Sequence, residues 1–205
     1  MRVCALALLW TFGLVAAAQE PVTDASDTDE PQLPDRAEYI RLSQELQKLA
    51  LRNAWSGVER TFLKMEATGS PFLFEDLVSG AHSARAMGNV KAVRDRLQEA
   101  SRLKEARDVL EWMWEIDTAY GSVFLACEVS KKNQPELVAK AMPFDPNQAR
   151  AIEFAIQQVA DTCLFDGMLP GGAYTFGPLE FEVQPRVETI RLDLRNPDLP
   201  NKKKG

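Results

Sequence analysis

Two hydrophobic periods share this chain, and the switch between them near Gly121 limits the folds open to it. Through residues 36–120, apolar side chains return every three or four positions, the mark of a helix with one buried face. From about Ala173 onward they alternate with polar ones, the period of a strand with one face on a core and one in water. A chain with both patterns in separate halves predicts an α+β fold rather than alternating strands and helices.

The helical half divides at its breakers. Asp35 with Glu38 three residues on predicts a capping box, and Tyr39, Leu42, Leu46 and Leu49 then share one face. Trp55, Val58, Phe62 and Met65 make a second helix, stopped by Gly69 and Pro71. Leu77, Ala81 and Ala84 mark a third, which ends at Gly88-Asn89. Val90, Val93, Leu97 and Ala100 mark a fourth.

These faces echo one another at 35 residues. Leu42, Leu46 and Leu49 shift onto Leu77, Ala81 and Ala84, and again onto Trp112, Ile116 and Ala119. The set Trp55, Val58, Phe62 and Met65 shifts onto Val90, Val93, Leu97 and Ala100. In this the chain resembles tetratricopeptide repeats, whose usual period is 34. Residues 74–100 carry the likeness best, with small residues at Ala81 and Ala84, the Gly88-Asn89 turn, and Val93, Leu97 and Ala100. The resemblance implies an array of helical hairpins whose small-residue groove takes a protein or peptide. It spans two and a half repeats, because the shifted positions Leu125, Glu128, Lys132 and Pro135 form no helix face. Each hairpin buries its apolar face only against neighbours, so something else must cap the end after Tyr120.

In the second half, Ser122–Cys127 reads as a strand, Lys131–Gln134 as a polar turn and Pro135–Met142 as a brief helix. Asp145-Pro146 starts a longer helix, with a capping side chain before proline at the first helical position. That helix is expected to run to Thr162 with Ile152, Ile156, Val159 and Cys163 inward. After a turn at Leu169–Gly172, Tyr174 and Phe176, then Leu179, Phe181 and Val183, then Ile190, Leu192 and Leu194 predict half-buried antiparallel strands. The run Asp166-Gly167-Met168-Leu169-Pro170-Gly171-Gly172-Ala173-Tyr174-Thr175-Phe176 resembles the leucine-proline-x-glycine-x-tyrosine turn of prealbumin-like β domains such as the PEGA domain. The likeness implies a non-catalytic accessory module in which the tyrosine packs between sheets.

The first eighteen residues are expected to direct export. Arg2 precedes an apolar run over residues 3–15, with Ala16-Ala17-Ala18 at a cleavage site, the layout of a signal peptide. The run is shorter than the roughly 20 residues that span a bilayer, and no second run of spanning length follows, so no membrane span remains after cleavage. Residues 19–35 carry six acids, no basic residue and three prolines, which predicts a disordered acidic leader. Residues 197–205 form a basic tail around Lys202-Lys203-Lys204. With a formal net charge of −6 and no basic stripe, the chain is not expected to bind nucleic acid.

Chemistry-bearing residues are sparse. Cys127 and Cys163 are the cysteines left after processing, and an oxidising compartment favours a disulfide between them; two buried free thiols are the other arrangement open to them. The single histidine, His82, has no ligand or triad partners at a definable spacing. Glu75, Asp76, Glu111, Glu115 and Asp117 are the carboxylates available for acid–base work, at no diagnostic spacing. Gly171-Gly172 is followed by no lysine or helix start and is no phosphate loop. Trp112 and Trp114 point different ways on a helix. Either one joins the core and the other is exposed at the junction, or the β half covers both.

The expected molecule is thus α+β. A tetratricopeptide-like antiparallel array of about five helices (36–120) docks on a small antiparallel β unit with one covering helix (121–196). Its expected role is non-catalytic: a secreted or periplasmic interaction module, needing no cofactor or metal, that meets a protein or peptide through Trp114, Ala81, Ala84 and His82. A self-assembling component of the cell envelope is the alternative, and an enzyme of unknown type the third reading.

Overall fold

A computed structural model of the chain describes residues 35–128 and 134–195. The expected signal peptide, basic tail, nearly all of the acidic leader and most of the Lys131–Gln134 turn lie outside the described residues.

Five helices follow in tandem: α1 (Arg36–Ala50), α2 (Trp55–Ala67), α3 (Phe74–Met87), α4 (Val90–Leu103) and α5 (Arg107–Ala119). Half of the expected capping box forms at α1. Asp35 Oδ1 accepts from the Glu38 amide at 3.0 Å, but the Glu38 carboxylate is taken by Arg41 at 2.7 Å. The Asp35 amide instead donates to the Thr68 carbonyl, which ties the start of α1 to the end of α2. Between α3 and α4 the chain reverses at Gly88, whose φ of 82° is open to glycine at little cost. Asn89 then caps α4 by accepting from the Ala92 amide.

The apolar stripes build two cores. Tyr39, Leu42 and Leu46 of α1 meet Val58, Phe62 and Met65 of α2 and Leu77 of α3. The second core joins Ala81 and Ala84 of α3, Val93 and Leu97 of α4 and Ile116 of α5 to residues from beyond the array. Each large apolar side chain so buried contributes about 1.5–3 kcal/mol of transfer free energy.

The change of period falls at Tyr120. Strand β1 (Tyr120–Ala126) follows α5 directly, then β2 (Leu137–Ala139), α6 (Pro146–Thr162), β3 (Leu164–Pro170), β4 (Gly172–Phe176), β5 (Leu179–Val183) and β6 (Ile190–Asp193). They form two three-stranded sheets, ordered β3-β1-β6 and β2-β4-β5. Helix α6 starts as expected, with Asp145 accepting from the Asn147 amide at 2.7 Å and Pro146 opening the first turn. It covers a core of Val123, Leu125, Ile152, Val159, Phe165, Leu169, Tyr174 and Phe176. Cys127 and Cys163 are bonded across the end of β1 and the end of α6, with Cα atoms 5.1 Å apart.

The structure corrects four local expectations. Residues 135–142 hold strand β2 rather than a helix, because Val138 pairs with Thr175 and completes the second sheet. Strand β6 runs parallel to β1, with Val123 opposite Ile190, so the strands are not all antiparallel. Leu169 and Pro170 belong to β3, and the chain passes from one sheet to the other at Gly171. On α6, Ile156 is exposed, and Ala155 takes the inner position.

The second core is where the halves join. Tyr120 of β1, Ala151 of α6 and Met168 of β3 pack there among α3, α4 and α5 residues. The β half therefore closes the open end of the helical array.

Candidate functional site

The expected partner residues separate onto two surfaces and one interior. Ala81 and Ala84 are 0% exposed and line no open groove. Their small side chains let α3 pack closely against its neighbours, which corrects the expectation that they meet a partner. His82 and Trp114 are exposed, but in different places.

His82 stands in an aromatic ladder across three helices. Its ring lies between Trp55, the first residue of α2, at 5.8 Å and Trp112 of α5 at 4.8 Å, centroid to centroid. Arg85, one turn along α3, places its guanidinium 5.3 Å from the Trp112 centroid. Both tryptophans are half-buried, so the ladder is anchored below and open above. Desolvation by these rings and then the charge of Arg85 hold the imidazole below its ordinary pKa. The tryptophan split thus takes its first form: Trp112 packs against the second core, while Trp114 is 65% exposed at the junction.

Trp114 borders a cleft of about 590 Å³ between α4 and α5 on one wall and β1, β3 and the β5–β6 loop on the other. Helical spacing builds the first wall. Lys91 and Arg94 on α4, and Trp114 and Asp117 on α5, are i,i+3 pairs that share a face. Arg94 donates to Asp117 at 2.7 Å, and Lys91 reaches Asp166 of β3 at 2.5 Å. Asp117, one of the carboxylates available for acid–base work, is thereby engaged with a cation. From the β5–β6 loop, Arg186 sets its guanidinium 5.8 Å from the Trp114 ring centroid. Its φ of 62° is a left-handed conformation that a non-glycine residue adopts at a cost of about 1 kcal/mol or more.

Two buried polar networks hold the array that carries these surfaces. Asp76, 1% exposed, accepts from Tyr39 at 2.8 Å, Ser43 at 3.0 Å and Gln47 at 2.8 Å, which joins α1 to the first turn of α3. Arg96 grips Glu59 with two nitrogens, at 2.6 and 2.8 Å, donates to the Gly80 carbonyl and lies over the Phe62 ring. Ser83 donates to the same Glu59 carboxylate. Burial opposes the charge on Glu59, but these hydrogen bonds outweigh it and leave the carboxyl below its usual range. Glu75, Glu111 and Glu115 point outward, with Glu111 paired to Arg107.

Sequence reasoning did not single out Arg96, Lys91, Arg94, Asp166 or Arg186. Arg96 left a trace, a charge set among Val93, Leu97 and Ala100 on an apolar stripe. Lys91 and Asp166 left none, since 75 residues separate them.

No protein-family model, curated protein or solved structure matches this chain.

Proposed function

We propose that this is an exported, non-catalytic interaction module whose helical array meets a protein partner through the ladder of Trp55, His82, Trp112 and Arg85. The observation that carries the reading is the stack itself. Aromatic rings and an arginine dominate binding energy at protein interfaces when their bodies are anchored and their edges are free. Here His82 is held between two indoles rather than left to rotate, so little side-chain freedom is lost on contact. The hairpin resemblance gives the same direction, an array presenting one face to a protein or peptide.

Export rests on the leading segment and is supported by the Cys127–Cys163 bond, which belongs to an oxidising compartment. Among the described residues no helix is long and apolar enough to cross a membrane.

A photoreactive benzoylphenylalanine in place of His82, with one in place of exposed Gln157 on α6 as control, tests the assignment in the native exported fraction. The expected result is an adduct of discrete mass at position 82 and none at 157. An adduct of twice the chain mass would favour self-assembly in its place. Equal labelling at both positions, or none at 82, would end the reading.

A further inference from the structure

We infer that the junction cleft is a second, separate binding site, and that its ligand is an uncharged saccharide. Charge excludes the ionic classes first. Lys91, Arg94 and Arg186 face Asp95, Asp117 and Asp166, three cations against three anions, so neither a polyanion nor a polycation finds a net field there. Four of the six are paired within the cleft, Lys91 to Asp166 and Arg94 to Asp117.

What remains is hydrogen-bonding capacity in fixed positions. Both pairs are part-exposed, and a carboxylate has about four acceptor sites, of which one ion pair uses one or two. The free lone pairs and N–H groups lie side by side, an array suited to hydroxyls, which donate and accept at once. Trp114 supplies the complementary surface, a flat apolar ring that is 65% exposed. A pyranose has that combination, a C–H face that lies on an indole and a rim of hydroxyls.

Shape agrees. The volume of about 590 Å³ lies within the roughly 300–1,000 Å³ of small-ligand sites. Arg186 borders the same ring, its guanidinium 5.8 Å from the Trp114 centroid.

The test is calorimetric titration of the mature chain with cellotriose, maltotriose and chitotriose, beside triglutamate and trilysine peptides. At least one trisaccharide is expected to bind at millimolar concentration and to weaken by about tenfold or more in Trp114→Ala. Trp114→Phe should recover most of the affinity, and replacing exposed Gln157 on α6 with alanine should leave it unchanged. Circular dichroism of each variant separates lost binding from lost folding. The inference is overturned if none of the three sugars binds, if Trp114→Ala binds as well as the parent, or if either charged peptide binds more tightly. Because His82 lies on the other surface, failure here leaves the array-face reading standing, and the reverse holds.

Discussion

Arg96 and Glu59 show how single residues hold this array together. Their side chains are only 9% and 19% exposed, and Arg96 ties α4 to both Glu59 of α2 and the Gly80 carbonyl of α3. Arg96→Ala strands a buried carboxylate, and should cost about 3–5 kcal/mol in urea unfolding, more than Glu59→Gln. Gly80 matters for space: a Cβ there would lie 2.4 Å from the Phe62 ring. Gly80→Ala should therefore cost about 1–3 kcal/mol by the same measurement. Two pH effects follow from the same surroundings. The Glu59 carboxyl is depressed when folded, so its contribution is full above the ordinary value of 4.5 and fades as pH falls through the folded value. His82 is also depressed, so the unfolded chain takes up that proton first and stability declines as pH drops below 6.5. A proton NMR titration of the folded protein should place His82 below 6.5.

At the level of elements, the long helices were legible because their signals are local. Asp145-Pro146 and Gly88-Asn89 fix their own turns by side-chain capping and left-handed backbone, and the four apolar stripes bury nearly as spaced. Strand β2 was not legible. Three residues, Leu137–Ala139, carry too short a pattern, and what makes them a strand is β4 alongside, more than thirty residues later. The parallel β6 was missed for the same reason, since alternation marks a strand but says nothing of its direction. The cleft was legible in part. The sequence left open which of Trp112 and Trp114 is exposed, or whether both are covered, and the companions of Trp114 come from α4, β3 and a loop. The Cys127–Cys163 bond staples β1 to the end of α6 across a separation of 36 residues. Replacing both with serine should lower stability by about 3–4 kcal/mol on the chain-entropy account, read as a fall in the urea midpoint.

On the scale of the whole molecule, the described residues form three cores, and each holds one of the chain's three tyrosines: Tyr39 among α1–α3, Tyr120 at the junction and Tyr174 in the core of the β half. Tyr174 donates to the Pro170 carbonyl and stacks on Phe181, while Tyr39 donates to Asp76. Burial raises all three phenols, Tyr120 and Tyr174 to about 12 and Tyr39 further, helped by Asp76. Unfolded tyrosines ionise near 10, so the contribution of these groups is complete below pH 10 and is lost as pH climbs toward the folded values.

That arrangement makes ultraviolet absorbance of the phenolate, followed as pH is raised, the most direct test of closure of the helical array by the β half. If the three cores are one cooperative body, no phenolate forms near pH 10, and all three tyrosines ionise together in a single step when the chain unfolds at higher pH. A Tyr174 phenolate already forming near pH 10, the unfolded value, while Tyr39 stays protonated and folded, would mean that the halves stand independently.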